Sequence, residues 1–178
     1  ENLRTEITPR SIWLCASSHE GEENLILRAH ATICALQKDA LLIIAPRHLR
    51  RVENIMLECS KLGLVAVRRS LGQTPNIANQ VYIWDTMGEL GNAMAIAPIT
   101  LVAGSLLPNI GGHNPIEPAQ IGSAIVSGPY FHNFANIYFQ LEAEDGAIIL
   151  DNLEPNFIAL KIMALMNDLG LAKQMANN

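Results

Sequence analysis

The stretch GSLLPNIGGHNPIEPAQIG, residues 104–122, leaves an apolar run (Ile99–Ala103) through a Gly-Ser turn and crosses a loop holding Gly111-Gly112. It then enters a segment started by Pro115 and carrying Asn114 and Glu117. A loop that drops from a strand into a helix start is an anion site in outline, because the first helical N–H groups are unpaired and carry partial positive charge. Pro115 suits the first helical turn, where its missing N–H costs nothing. Glu117 in that turn could accept hydrogen bonds from a diol such as a ribose. An ordinary helix cap and turn would use the same residues, since Gly-rich turns before helices are common.

Working outward, short apolar runs alternate with segments of helical period. Strands are expected at Ser11–Ser17, Ala40–Ala45, Leu64–Arg68, Gln80–Trp84, Ile99–Ala103, Ser123–Ser127 and Ala147–Leu150. Helices are expected at Asn24–Lys38, at about Arg51–Leu62, from Asp85 to about Ala97, at Phe134–Ala143, and from Pro155 to about Leu169, with a stop at Gly170. This alternation predicts an α/β fold with a doubly wound parallel sheet. In such sheets ligands sit outside the carboxyl ends of the strands. The unusual clusters all fall at that edge: Ser17–Glu22, Pro46-Arg47-His48, Asp85–Glu89, Gly104-Ser105 with Gly111–Glu117, and Gly128-Pro129-Tyr130.

Composition bounds the classes. The 178 residues are 49% hydrophobic and 16% charged, which suits one domain with a sizeable core. A net charge of −5 argues against a nucleic-acid platform or a broad anionic-membrane surface. Cys15, Cys34 and Cys59 are odd in number and lack CxxC spacing, so they read as buried thiols. No apolar run reaches the ~18 residues of a membrane span. Beginning with Glu1 and closing on a polar tail, the chain reads as a soluble fragment of a longer protein. Residues 1–10 form an entering linker, 11–170 the domain and 171–178 a C-terminal tail.

Arg47 at a strand end supplies a fixed fork of donors for an anionic or planar ligand, and the peptide beside Pro46 can meet a base edge. A solvated basic turn with Arg50 and Arg51 is the alternative. Met87-Gly88-Glu89 could present backbone amides, or simply open a helix. Ser17 and Ser18 beside Gly21 suit phosphate or carboxylate, whereas a nucleophile is disfavoured because no GxSxG elbow is present. His113 either touches a ligand or fixes its loop; His30 and His132 read as structural. No metal spacing appears among the five histidines. GxGxxG and GxxxxGK[ST] are both absent.

Five segments together carry a resemblance: ASSHEGEE (16–23), APRH (45–48), DTMGEL (85–90), AGSLLPNIGGHNPIEPAQIG (103–122) and SGPYFHNF (127–134). In this order they resemble the C-terminal half of the bacterial Kdo transferases, the 3-deoxy-D-manno-octulosonic acid transferases of lipopolysaccharide biosynthesis. The departures are Ala103 where glycine is usual, Leu49 where proline follows PRH, and Ser18 where threonine is common.

The resemblance implies a Rossmann-like domain forming one half of a GT-B glycosyltransferase, with CMP-Kdo as donor and a lipid A precursor as acceptor. It maps CMP contacts to Pro46 and Arg47, to Met87, Gly88 and Glu89, and to Asn114, Pro115, Ile116 and Glu117. Ser17, Ser18, His19, Ser105, Gly112 and His113 become candidates for the sugar carboxylate or the phosphate. It implies inversion by direct displacement without metal or other cofactor. The general base, the acceptor site and the membrane association belong to an N-terminal domain at the cytoplasmic face of the inner membrane, so no catalytic residue is expected here. Two other readings remain on the same architecture: a UDP-sugar epimerase-like domain and a non-enzymatic module for a small anion.

Overall fold

The computed structural model describes residue 7 and residues 10–178; the remainder of the expected linker lies outside the described residues. Seven strands form one sheet in the order β3-β4-β2-β1-β5-β6-β7, every neighbouring pair parallel. They are β1 (Ile12–Ser18), β2 (Leu41–Pro46), β3 (Ala66–Arg68), β4 (Val81–Ile83), β5 (Ile99–Val102), β6 (Ala124–Ser127) and β7 (Ala147–Ile149). The strands are apolar without alternation because helices cover both faces. Trp13 and Cys15 pack with Leu42, Ile44, Ile83 and Leu101 on one side. Ile12, Leu14 and Ala16 pack with Leu41, Ile43, Tyr82 and Trp84 on the other.

The helices are α1 (Glu22–Leu36), α2 (Val52–Lys61), α3 (Leu90–Ile96), α4 (Ile116–Ile121), α5 (Ala135–Ala143), α6 (Pro155–Asn167) and α7 (Leu169–Asn177). The first face is covered by α1, whose Ile26, Leu27 and Ile33 are buried, and by α6 through Ile158 and Ile162. On the second face Ala93 and Met94 of α3 are buried, and Ile7 joins them. His30 of α1 is structural as expected. It accepts from Trp13 Nε1 at 3.1 Å through Nδ1, so its Nε2 carries the proton toward the Gln80 carbonyl at 2.8 Å. Cys15 and Cys59 are buried, whereas Cys34, expected to be, is only partly so.

Strand order reverses between β1 and β5, and the crevice outside their carboxyl ends is the switch point where such sheets bind ligands. Three expected boundaries move. Asp85–Glu89 does not open a helix: Asp85 accepts from Ser70 N at 2.8 Å, Ser70 Oγ at 2.6 Å and Arg68 Nε at 2.9 Å, which pins the end of β4. Gly88 then turns with φ +75°, and α3 begins at Leu90. Pro115 caps α4 rather than lying inside it.

The third change is at the C-terminus, where residues 171–178 are not a polar tail. Asp168 breaks the expected single helix, and its Oδ1 accepts from Leu171 N at 2.9 Å, capping α7 through Gly170. Ala172 and Met175 are buried against the main core. Deleting residues 171–178 should therefore lower stability by about 2–5 kcal/mol, the range for losing a large buried side chain. The urea midpoint checks this.

Candidate functional site

The crevice is built around one carboxylate. Glu22 opens α1, is fully buried, and accepts from three main-chain N–H groups: His19 at 2.9 Å, Gly104 at 2.9 Å and Leu106 at 2.9 Å. The first turn of a helix favours a negative charge, and three N–H donors replace the water the carboxylate gave up. The loop after β1 is thereby tied to the loop after β5.

A second tie joins the same loops through side chains. His19 Nε2 and His113 Nε2 are 2.8 Å apart, with ring planes 13° from parallel and centroids 5.0 Å apart. The rings meet head to head, one donating and the other accepting, so at least one is neutral. His48 stands edge-on to His19 with centroids 5.7 Å apart. Burial, with His19 and Arg47 nearby, pulls His113 down to about 4. Burial likewise lowers His19; Glu22 opposes this, while His48 and Arg47 add to it.

The glycines of residues 104–122 serve this packing more than they serve a ligand. Gly104 has φ +74°, and a Cβ there would lie 2.8 Å from His113 Cδ2. Gly112 has φ +82°, donates its N–H to the Gly104 carbonyl at 2.7 Å, and would drive a Cβ to 2.9 Å from Phe131 Cα. Its amide is therefore engaged within the loop. Ser105 is also engaged: its buried hydroxyl donates to the Val102 carbonyl at 2.7 Å and accepts from Gly128 N at 2.9 Å. Asn114 Oδ1 takes the Ile116 N–H at 3.0 Å, and Pro118 brings no N–H to the first turn of a six-residue helix. The Gly112 and Ile116 N–H groups of this stretch are therefore engaged within the loop itself.

A cavity of about 160 Å³ lies beside the histidines. One wall is Ala45, Pro46, Arg47 and Leu49, the other Thr86, Met87, Gly88 and Leu90, with Ser17 and Trp84 completing it. Ser17 sits at a register shift of β1 against β2 and holds φ 61°, a left-handed conformation costing roughly 1–2 kcal/mol in a non-glycine residue. Five of the expected residues (Ser17, Pro46, Arg47, Met87 and Gly88) thus share one cavity. Glu117 is exposed on α4 and reaches toward α3: a Cβ built on Gly91 would lie 3.4 Å from its Oε1. Pro115 is buried and Ile116 is exposed.

Glu89 is not brought into the cavity. It accepts from Arg69 Nε at 2.7 Å and Thr86 Oγ1 at 2.6 Å. Ser18 is fully buried, and its Oγ has no partner among the described residues. Those residues include no group of three or more His, Cys, Asp or Glu arranged to hold a metal ion, and no helix long and apolar enough to cross a membrane. Two residues were missed from sequence. Glu22 could have been found as an acid directly behind Gly21 at the carboxyl edge, and Trp84 as a large aromatic ending a strand just before Asp85–Glu89.

No family model matches the chain. It is 33% identical over 168 residues to the 3-deoxy-D-manno-octulosonic acid transferase of Haemophilus influenzae, covering 94% of this chain and 39% of that protein. The chain thus spans about two fifths of the length of that curated relative. Among solved structures, the C-terminal CMP-Kdo binding domain of WaaA from Acinetobacter baumannii superposes with a TM-score of 0.89 at 28% identity, covering 99% of this chain and 95% of that one. Anabaena HepE in complex with UDP and glucose gives 0.71 at 15% identity over 99% of this chain and 45% of that one, a likeness of fold alone.

Glu22→Ala should destabilise the chain by about 3–5 kcal/mol, because three buried N–H groups lose a charged acceptor at once; urea unfolding reads it. The histidines predict a pH dependence. His30 and His113, both held near 4, take up protons on unfolding below their ordinary 6.5. Their contribution is complete above about pH 6.5 and is lost as the pH falls toward 4. The urea midpoint should therefore fall between pH 7 and 5.5, and fall less in His113→Asn.

Proposed function

Since this chain belongs to the 3-deoxy-D-manno-octulosonic acid transferase family, we propose that it is the donor-binding half of such a GT-B enzyme and binds CMP-Kdo. The observation that carries this reading is the convergence of three loops on one crevice. The cavity between Pro46-Arg47 and Met87-Gly88 has walls of mixed polarity, in which Ala45, Leu49, Trp84 and Leu90 offer apolar surface to a base. Arg47, His48 and the His19–His113 pair stand beside it where a phosphate or the sugar carboxylate would be placed, and Glu117 flanks it as acceptor for the ribose hydroxyls.

The chemistry follows from these groups. A nucleoside monophosphate leaving group carries a single phosphate, so guanidinium, imidazole and N–H donors suffice to stabilise the charge that develops as the glycosidic bond breaks. Transfer then proceeds by direct displacement, with inversion and without a metal ion. A general base is required to deprotonate the acceptor hydroxyl. That base, the lipid A precursor site and the membrane association at the cytoplasmic face of the inner membrane are assigned to the part of the enzyme beyond this chain.

Calorimetric titration of the chain with CMP in EDTA, against UMP, UDP and AMP, tests the reading. CMP should bind selectively; a preference for UDP, or no nucleotide binding at all, would overturn it. Glu117→Ala should weaken CMP at least about tenfold, the loss of a hydrogen bond to a charged group, with an unchanged melting temperature. Unaltered affinity in the folded variant would remove Glu117 from the ribose.

A further inference from the structure

Trp84 directly follows β4 and lines the base cavity, yet the residue is only 2% exposed. Its Nε1 is buried and has no acceptor among the described residues. The contrast is Trp13, also buried, whose Nε1 is bonded to His30 Nδ1. A buried N–H without a partner has given up its water and gained nothing in return. Such a group is retained at little cost when something that enters the site completes it.

Two neighbours hold the ring around that N–H. The Arg69 guanidinium lies 4.0 Å from its centroid, a cation–π contact, and Tyr82 packs edge-on with centroids 5.6 Å apart. Arg69 is itself fixed by Glu89, and Glu89 by Thr86 of the cavity wall. The side chain that the resemblance would place on the nucleotide therefore works here one step removed: Glu89 holds Arg69, and Arg69 holds the indole plane.

We propose that the Trp84 indole N–H is a specificity-determining donor that completes its hydrogen bond on a ring nitrogen or carbonyl oxygen of the nucleobase entering this cavity, with Glu89 and Arg69 as the residues that position it. The inference rests on the reading of the cavity as a nucleotide site. It adds a requirement that reading does not contain: the occupant must present an acceptor to Trp84, and a base with a donor there is rejected, because two N–H groups would face one another without a partner.

The test uses the indole N–H signals of the ¹⁵N-labelled chain, which has two tryptophans. On titration with CMP the Trp84 signal should shift downfield as its hydrogen bond forms, while the Trp13 signal stays in place. Trp84→Phe, which keeps a ring and removes the N–H, identifies the signal by its disappearance and should bind CMP about tenfold more weakly or worse. Should that variant fail to fold, Trp13→Phe assigns the signals and the wild-type titration decides. CMP binding with an unmoved Trp84 signal, or with unchanged affinity in folded Trp84→Phe, would overturn the inference and leave the nucleotide reading standing. A wild-type chain that binds no nucleotide would overturn both.

Discussion

The Glu22 carboxylate is the constraint on which the crevice depends. A parallel sheet brings the ends of β1 and β5 side by side but does not dictate the course of the loops that leave them. Glu22 does so by collecting N–H groups from both loops, His19 from the first and Gly104 and Leu106 from the second. Its position is itself dictated locally: it lies one residue after Gly21, whose φ of +94° turns the chain into α1, and a Cβ at Gly21 would press to 2.8 Å from Leu107 Cδ1. Helix start, turn and β5 loop therefore form one unit, and the His19–His113 contact sits on top of it.

That arrangement changes how residues 104–122 are understood. A sequence rich in glycine ahead of a helix suggested amides bared to an anion. The folded loop uses those glycines to close on itself, with Gly112 bonded back to Gly104 and packed against Phe131. Positive charge at the crevice comes from the Arg47 side chain on the cavity wall. The loop thus supplies shape and places Glu117.

The fold was legible because two-sided burial writes itself as unbroken apolar runs. Every strand was located to within a few residues, although β3 and β4 prove shorter than their runs. The cluster of unusual residues at one sheet edge was legible too, since loops there carry the residues that have no role in the core. Other features depended on contacts between distant segments. Nothing local marks Asp85 as bonded to Ser70 rather than opening a helix, or Glu89 as bonded to Arg69. Nothing in the polar end of the chain marks Met175 as buried, because α7 has only two residues in the core and its other side is solvated. Glu22 and Trp84 went unassigned for the same reason: one acts through three N–H groups on two loops, the other through an N–H whose lack of a partner is visible only in three dimensions.

The distribution of acids carries the last step. At this edge Glu22 is engaged by main-chain N–H groups, Glu20 and Glu23 by Arg51, Asp85 by Arg68 and Ser70, and Glu89 by Arg69 and Thr86. Each of these carboxylates accepts from groups of the protein itself, so its oxygens are committed to holding the loops in place. Among the described residues at the crevice, Glu117 is the acid that accepts from neither a cation nor a main-chain N–H, and its place on α4 beside Gly91 makes it a neighbour of the cavity. Among the described residues, Arg47 and Glu117 are thus the charged side chains of the crevice that are not spent on another residue.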